Sequence, residues 1–373
     1  MKEYRLNMLS RADMVKGQGV LSAYEEELRL ISGRLDRIHG DSGDFKLNIS
    51  INDKIDGDIT HIHTVNPEFF LRLPAIKSKG IAVGSMHFLP ETVDQSLHLP
   101  SVARQAFYSY LISFYKSMDR LVTVNPCFIP KLAAYGIDPQ KVTFIPNYVS
   151  GSVFSPVDRR QVKELRSSWG LDPERFTVVC AGQLQTRKGV LEFAQIAKAL
   201  PQMQFVWAGD FAFGGMSDGH KELEKLLHDH SDNLHFTGLI ERKKMPQLYQ
   251  LGDVMLLPSY DELFPMTVLE AMSCGKPILL RDLSLYQVIL DGYYLKAADN
   301  RQFIAQLVQL SRDEAYYARA CEMSARGNRF YSEEHVLGMW QEFYHLCLQE
   351  SLQRQSERRR RSPVVQLAGG GWR

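Results

Sequence analysis

The feature that most constrains the fold is an alternation of short apolar runs with longer amphipathic segments, which occurs twice along the chain. In the first half, runs such as KLNISI (46–51) and GIAVGSM (80–86) alternate with helical patterns such as VARQAFYSYLISFYKSM (102–118). The alternation restarts at FTVVCAG (176–182), after a Gly-, Ser- and Pro-containing stretch at 147–158 that has no clear period. Strand–helix–strand succession is typical of parallel α/β sheets. The sequence therefore predicts two successive α/β domains.

A chain of 373 residues is long for a single core and sufficient for two domains. We expect the first domain over residues 1–150 and the second over 151–330. Residues 331–352 have a helical pattern, and we expect this helix to pack back toward the first domain. The arginine-rich remainder, 353–373, lacks helix or strand patterning and is expected to be a disordered basic tail.

Charge and cysteine usage exclude several classes of protein. The formal net charge is only +1, so the chain is not a nucleic-acid-binding polycation and no nucleic-acid partner is expected. The five cysteines are odd in number and form no C-x-x-C pair, which favours reduced thiols in a cytoplasmic protein. Charges follow the first Met too soon for a secretory segment, and no apolar run approaches the ~20 residues that span a bilayer. Any membrane contact is therefore expected to be peripheral.

The stretch DELFPMTVLEAMSCGKP (261–277) combines two acids with a helix start. Pro265 is suited to the first position of a helix, because its missing N–H is not needed there. The following amides of Met266, Thr267 and Val268 would be free donors at the positive end of the helix dipole, which favours phosphate. Glu270 lies about one turn inside, where a carboxylate can accept hydrogen bonds from ribose hydroxyls.

A second candidate phosphate element is the loop GQLQTRKG (182–189), which follows an apolar strand pattern and has Gly at both ends. Arg187 is suited to a bidentate phosphate contact and Lys188 to a point-charge contact. Together the two loops predict a diphosphate site.

These motifs resemble the retaining GT-B glycosyltransferases of family 4. The resemblance rests on the E-x7-E pattern of ELFPMTVLE with GQLQTRKG upstream, and covers roughly residues 5–345. SRADMVKGQGVLSAY is similar to the family's first glycine loop, HIHTVNP to its second strand and SMH (85–87) to its acceptor-side histidine. VTFIPNYV (142–149) is similar to the run that precedes the second domain. The resemblance implies a GT-B fold, with two Rossmann-like parallel-sheet domains facing across a cleft.

The resemblance also implies roles for individual residues. Lys188 and Arg187 would stabilise the leaving diphosphate, Glu262 would lie near the hydroxyls of the transferred sugar, and Glu270 would bind ribose. His87 would approach the reacting carbon from the first domain. Gln183 stands where the family usually has Arg, which leaves its contact with the diphosphate open. The remaining donor-binding positions implied are Gly17, Gly19, Phe264, Pro265, Met266 and Thr267.

A narrower likeness is to the Gram-positive membrane-glycolipid synthases, carried by segments such as SMHFLPETVDQSLHLP and QTRKGVLEFAQIAKALP. It implies transfer of a hexose from UDP-galactose or UDP-glucose to a glycolipid such as α-glucosyl diacylglycerol. No cofactor or metal is expected, and the enzyme would contact anionic membrane peripherally on the cytoplasmic face. A soluble or polysaccharide acceptor, a nucleotide-sugar epimerase and a nucleotide-sugar-binding protein without catalysis remain alternatives.

Four further patterns are ambiguous from sequence alone. Asp56-Gly57-Asp58 spells D-x-D, but acids beside Gly before a strand usually form a turn. His61 and His63 share one strand face, for which packing or a polar-cleft role is favoured over a paired metal site. The aromatic side chains of the helix at 102–118 suit either a core or a membrane interface. The run Arg358–Arg361 suits either anionic lipid or a disordered tail.

Overall fold

The computed structural model describes residues 2–11, 19–35, 37–38, 45–90, 101–211, 219–262 and 264–361. Strands β1 to β7 of the first half are Lys2–Leu9, Arg37–Ile38, Phe45–Ile51, Ile59–Ile62, Ile81–Met86, Arg120–Thr123 and Val142–Phe144. Strands β8 to β13 of the second half are Thr177–Ala181, Gln204–Ala208, Leu234–Phe236, Val254–Leu257, Ile278–Arg281 and Leu295–Ala297.

The helices follow the strands in the expected alternation. Helices α1 to α4 are Gly19–Arg34, Pro67–Lys79, Ser101–Lys116 and Phe128–Ala134. Helices α5 to α9 are Arg159–Ser168, Val190–Ala199, His220–His228, Met245–Leu251 and Met266–Ser273. Helices α10 to α13 are Ser284–Ile289, Asn300–Arg312, Glu314–Phe330 and Glu333–Arg361.

Within the described residues the strands form two separate sheets, of seven strands in the order β2-β3-β1-β4-β5-β6-β7 and six in the order β10-β9-β8-β11-β12-β13. The pairs are parallel except β2 with β3. Strands β4, β5, β8 and β9 are buried along their whole length, because helices cover both faces of a parallel sheet. The prediction of two parallel α/β sheets is confirmed.

Each sheet reverses its strand order once near its centre. In the first sheet the reversal lies between β1 and β4, and in the second between β8 and β11. Ligands of open α/β sheets bind outside the carboxyl ends of the strands at such switch points. The loops that follow β8 and β11 contain GQLQTRKG and DELFP, so the topology brings the two sequence-predicted phosphate elements to one position.

Helix α13 completes the core of the first sheet. Its side chains Trp340, Phe343 and Tyr344 are buried in one cluster with Leu6, Ile59 and other residues of β1, β4 and β5. The helix also continues to Arg361, so the expectation of disorder from residue 353 onward is wrong for residues 353–361.

The arginines of this helix extension have partners on the first domain. The Arg354 guanidinium donates to Asp119 Oδ1 at 2.9 Å and to the Gly80 carbonyl at 3.2 Å. Arg358 donates to the carbonyls of Lys77 and Ser78 at the C-terminal end of α2, where a cation is favoured by the helix dipole. Specific contacts therefore order a segment that its composition would leave disordered.

The stretch 147–158 contains no helix or strand. Its second half is held by the second domain, since the Phe154 carbonyl accepts from Ser273 Oγ at 2.6 Å and the Ser155 carbonyl from Gln250 Nε2 at 2.9 Å. Within the described part of the chain, no helix has the length and apolarity needed to cross a bilayer.

Candidate functional site

A tight turn carries Lys188 at the end of β8. Residues Thr186–Lys188 form a 3-10 turn that ends at Gly189, whose φ of 73° lies in the left-handed region. A Cβ atom at Gly189 would lie 2.4 Å from the Pro258 carbonyl oxygen, so only Gly allows the turn to approach the end of β11 this closely. The Tyr260 amide donates to the Arg187 carbonyl at 2.8 Å and fixes the two loops together.

Lys188 and Glu262 form an ion pair across these loops. Lys188 Nζ lies 2.5 Å from Glu262 Oε1, and the two side chains are only 14% and 6% exposed. A charge-assisted hydrogen bond between two largely desolvated groups holds both in one geometry. The pair therefore keeps a fixed ammonium group and a fixed carboxylate at the switch point of the second sheet.

The other predicted residues of the β8 loop lie beside this pair. Arg187 Nη1 donates to the Asp261 carbonyl at 3.2 Å, so its guanidinium buttresses the loop that carries Glu262. Burial, and next the neighbouring Glu262 charge, raise the pKa of Asp261. Gln183 is half-buried in the same loop.

Helix α9 begins one residue later than expected. Its first residue is Met266, and Pro265 occupies the N-cap position with extended backbone. The Val268 amide donates to the Pro265 carbonyl at 3.1 Å, so it is not the free anion donor predicted from sequence. Phe264 is buried with its ring centroid 5.1 Å from that of Tyr331, Met266 is buried and Thr267 is half-buried.

Glu270 is the fifth residue of α9, and it is buried with two partners that sequence analysis missed. The Tyr249 hydroxyl donates to Glu270 Oε2 at 2.6 Å, and Arg242 Nη1 donates to Oε1. Burial, followed by the Glu270 carboxylate, raises the pKa of Tyr249, so the phenol stays protonated as the donor. Arg242 is 40% exposed and its guanidinium stacks 5.0 Å above the Phe154 ring. The only sequence feature that could have indicated Arg242 as a site residue was the basic run Arg242–Lys244 before α8.

His87 follows β5, at the carboxyl end of the first sheet. Burial lowers the pKa of His87 to about 4, and a contact with the His63 backbone opposes that shift in part, so the ring is neutral at physiological pH. Its Nε2 atom is buried without a hydrogen-bond partner among the described residues. The cavity beside His87 is also lined by Glu27, Ser85, Asn147 and Trp340.

The remaining residues singled out from the sequence are two glycines and two aspartates. Gly17 lies outside the described residues, and Gly19 is the first residue of α1. Helix α1 contacts α9, which brings an element of the first domain to the helix that carries Glu270. Asp56 and Asp58 have structural partners: Arg72 Nη2 lies 2.5 Å from Asp56 Oδ1, and the Arg5 amide donates to Asp58 Oδ2 at 2.9 Å.

The chain is similar to known glycosyltransferases along most of its length. Residues 175–313 match the family described as glycosyl transferases group 1. A Streptococcus pneumoniae protein named alpha-galactosylglucosyldiacylglycerol synthase is 42% identical over 343 residues, which cover 92% of this chain and 90% of that protein. The processive diacylglycerol alpha-glucosyltransferase of Acholeplasma laidlawii is 21% identical over 248 residues, or 66% of this chain and 73% of that protein.

Solved structures share the fold at low identity. Anabaena Alr3699/HepE, crystallised with UDP and glucose, matches with a TM-score of 0.71 and 14% identity over 92% of this chain and 99% of its own. Sucrose-phosphate synthase from Thermosynechococcus elongatus matches with a TM-score of 0.69 and 16% identity over 92% and 98%. The GT-B fold expected from the sequence is confirmed.

Proposed function

Because the chain belongs to the group 1 glycosyltransferases, we propose that it transfers galactose or glucose from a UDP-sugar to a membrane glycolipid such as α-glucosyl diacylglycerol. The acceptor class is supported by the glycolipid named in the 42% identical relative, which the chain matches over 90% of that protein's length. The shorter match to a diacylglycerol glucosyltransferase points to the same class of acceptor.

The observation that carries the donor part of the proposal is the buried Lys188–Glu262 pair at the switch point of the second sheet. A nucleotide diphosphate gains negative charge as its bond to the sugar breaks. A fixed ammonium group at that position stabilises the charge without reorganising. Glu262, held beside Lys188 through Oε1, would accept from the sugar hydroxyls with its other carboxylate oxygen, while Glu270, at the far end of the same E-x7-E pattern, would accept from ribose.

We further propose that transfer proceeds with retention at the anomeric carbon and needs no metal ion. Lys188 and the amino end of α9 supply positive charge where a metal would otherwise neutralise a diphosphate. His87 is neutral, so its imidazole would orient the donor sugar through hydrogen bonds instead of a charge. Closure of the two domains over the donor would exclude water, the competing acceptor.

A lipid acceptor requires that the enzyme contact the bilayer, and we propose that helices α2 and α3 form the contacting surface. The two helices pack together through Phe70 and Tyr110, whose ring centroids are 5.7 Å apart. Leu71 of α2 is 78% exposed and Val102 of α3 is 81% exposed. In contrast, Leu111, Phe114 and Tyr115 of α3 are buried core residues, so only part of the aromatic helix is left for membrane contact. Basic residues outnumber acidic ones on both helices, and apolar side chains beside basic ones suit an anionic interface.

The transfer is tested by measuring UDP release from UDP-galactose and UDP-glucose with vesicles that contain or lack glucosyl diacylglycerol. We expect release with one donor to rise strongly when the glycolipid is present, and the product to carry a second hexose with the anomeric configuration of the donor. Equal release with and without glycolipid would overturn the acceptor assignment. Inversion in the product would overturn retention, and loss of activity on chelation would overturn metal independence.

Membrane contact is tested separately by co-sedimentation with anionic vesicles. Replacing both Leu71 and Val102 with Ser should reduce vesicle binding several-fold, because each contributes apolar area to the interface. Val153 is 42% exposed in the interdomain stretch and serves as the matched control. Equal loss of binding in Val153→Ser and in the double variant would contradict the assigned surface.

A further inference from the structure

A continuous chain of hydrogen bonds runs from helix α13 into the carboxyl end of the first sheet. The Tyr344 hydroxyl lies 2.7 Å from His61 Nδ1, and His61 Nε2 lies 2.9 Å from Ser85 Oγ. Ser85 Oγ in turn lies 3.2 Å from His63 Nδ1. All four side chains are buried, and they come from α13, β4, β5 and the residue that follows β4. A helix that follows the second domain therefore completes a polar network of the first.

The Tyr344 hydroxyl fixes the direction of these hydrogen bonds. Burial raises the pKa of Tyr344, so the phenol keeps its hydrogen, and among the described residues His61 Nδ1 is the partner to which it can donate. A neutral imidazole that accepts at Nδ1 carries its single hydrogen on Nε2, so His61 donates to Ser85. The Ser85 hydroxyl then donates to His63 Nδ1. Burial lowers the pKa of both histidines, which keeps the two rings neutral and preserves this direction.

Glu27 of α1 faces the same two rings but does not replace the hydroxyls. Its Oε1 lies 3.7 Å from His61 Nδ1 and its Oε2 lies 3.6 Å from His63 Nδ1. Both separations exceed the usual upper limit for a nitrogen–oxygen hydrogen bond of about 3.2 Å. Burial also raises the pKa of this carboxyl, which disfavours the charged form that would attract a ring N–H. The hydrogen bonds of the two rings are therefore those to Tyr344 and Ser85.

The chain of hydrogen bonds ends beside His87. Ser85 lies two residues before His87 in the sequence, at the end of β5. Burial lowers the pKa of His87, and a contact between its ring and the His63 backbone opposes that shift in part. The Nε2 atom of His87 is buried without a hydrogen-bond partner in the part of the chain that the structure describes. The ring is therefore held from the side of His63, while Nε2 is left for a ligand.

We propose that Tyr344 is a positioning residue for His87, acting through this chain of hydrogen bonds. The inference rests on the proposed function, in which His87 orients the donor sugar. Trp340, one turn before Tyr344 on α13, stacks on its ring at a centroid distance of 5.4 Å and lines the cavity beside His87. Loss of the Tyr344 donor frees His61 to exchange its tautomer, which loosens the strand ends that carry His87. Helix α13 thus orients a site residue in addition to covering the sheet.

The test is Tyr344→Phe, which removes the hydroxyl and keeps the packed ring. Nitrogen NMR of the full chain with isotope-labelled histidine reports the tautomer of each ring, and the His87 signals are assigned by their loss in His87→Gln. We expect His61 to change from one tautomer to a mixture of two, and the His87 signals to shift. The kcat for hexose transfer should fall about tenfold with little change in KM for the UDP-sugar, because orientation is lost and donor binding is kept.

Tyr317 of α12 provides the matched control. Its hydroxyl donates to the Asp253 carbonyl at 2.8 Å in the second domain, so Tyr317→Phe also removes one hydrogen bond of a packed tyrosine. Both variants should unfold at a lower urea concentration than the unaltered chain, but Tyr317→Phe should leave the histidine signals and kcat unchanged. Equal losses of kcat in the two variants would mean that Tyr344 acts through stability alone, which would overturn the proposal.

A double variant shows whether Tyr344 acts through His87. In the His87→Gln background, Tyr344→Phe should lower kcat no further, whereas independent sites would multiply their losses. Multiplied losses would therefore contradict the proposal. If the chain transferred no hexose, the proposed function would fail, but the histidine spectra would still test the contact between α13 and His87. Unaltered His61 and His87 signals in folded Tyr344→Phe would overturn the positioning role whatever the activity.

Discussion

The two sheets have the same architecture, yet they place their buried charges differently. At the switch point of the second sheet, the carboxylates of Glu262 and Glu270 are paired with Lys188 and Arg242. At the corresponding end of the first sheet the groups are imidazoles, hydroxyls and the buried carboxyl of Glu27, whose pKa is raised by burial. Burial lowers the pKa of His61 to about 3 and of His87 to about 4. The first domain has ion pairs elsewhere, such as Asp119–Arg354 under α13 and Asp56–Arg72 between the loop before β4 and α2.

This difference indicates that the two similarly folded domains suit different kinds of ligand. Paired buried charges hold a polar site ready for a charged ligand, because each group is already desolvated and oriented. Neutral hydrogen-bonding groups suit a ligand whose polar atoms are hydroxyls. We therefore propose that the second domain binds the diphosphate and the first domain the uncharged sugar, while the first domain also holds the C-terminal helix.

The largest expected effect comes from removing the ammonium group of Lys188 in the second domain. Lys188→Met should lower kcat/KM for the UDP-sugar by about 10²–10³-fold, the range found when a single preorganised charge-stabilising group is lost. It also leaves Glu262 buried without its partner, so the free energy of unfolding should fall. Steady-state UDP release and urea denaturation measure the two effects.

A double variant separates the effect of Lys188 on stability from its effect on catalysis. Lys188→Met with Glu262→Gln removes both charges and should recover part of the lost stability while activity stays low. If Lys188→Met kept activity within a few-fold of the unaltered enzyme, the proposed role of Lys188 at the diphosphate would be wrong, and so would the contrast between the two domains.

The next effect concerns the neutral site of the first domain. His87→Gln keeps a hydrogen-bonding group but displaces it, and we expect kcat to fall by about 10²-fold, the scale of a misplaced positioning group. UDP affinity should be unchanged, because His87 is expected to contact the sugar, whereas the proposed ribose and diphosphate ligands Glu270 and Lys188 belong to the other domain. Calorimetry with UDP serves as the control, and a large loss of UDP affinity would show that the two sites are not divided in this way.

A smaller effect is expected for Glu270, the proposed ribose ligand. Glu270→Gln should raise the Kd for UDP about tenfold, which corresponds to ~1.4 kcal/mol and one charge-assisted hydrogen bond. Tyr249→Phe removes only the donor to Glu270 Oε2 and should give an intermediate change. Direct UDP titration measures both, and unaltered affinity in Glu270→Gln would remove its role.

The smallest effect on activity is expected under α13, where Asp119→Asn should change stability alone. Burial raises the pKa of Asp119, but hydrogen bonds from Arg354 and the Ala82 amide outweigh it, so the pKa lies below its ordinary value. The carboxylate therefore stabilises the fold above the pKa of the unfolded chain, and this contribution is lost as the pH falls through the folded pKa. We expect a loss of about 1–3 kcal/mol at pH 7 that disappears in acid.

Urea denaturation at pH 7 and in acid measures this change. Glu164→Gln breaks the exposed Arg160–Glu164 pair of the second domain and should have little effect at either pH. An equal loss in both variants, or an Asp119→Asn loss that persists in acid, would contradict the stabilising role of the Asp119–Arg354 pair.

Sequence analysis correctly predicted the features that short-range sequence patterns determine. Short apolar runs gave the parallel sheets, and Gly and Pro beside acids or lysines gave the loops that meet at β8 and β11. It did not find the partners of Glu270, or Glu27 beside His61 and His63, because these contacts join elements far apart in the chain. It also misjudged residues 353–361, since basic composition indicates disorder unless acceptors such as Asp119 and the end of α2 are known.

The position of α13 has a consequence for the order in which the protein forms during synthesis. The first sheet is translated before the second, but Trp340 and Tyr344, which cover one of its faces, emerge from the ribosome only after the second sheet. The second sheet and its helices are contiguous in the chain and have no such delay. The domain that comes first of the two is therefore the one that completes its core last, and its nascent form presents an apolar surface that chaperones are suited to protect.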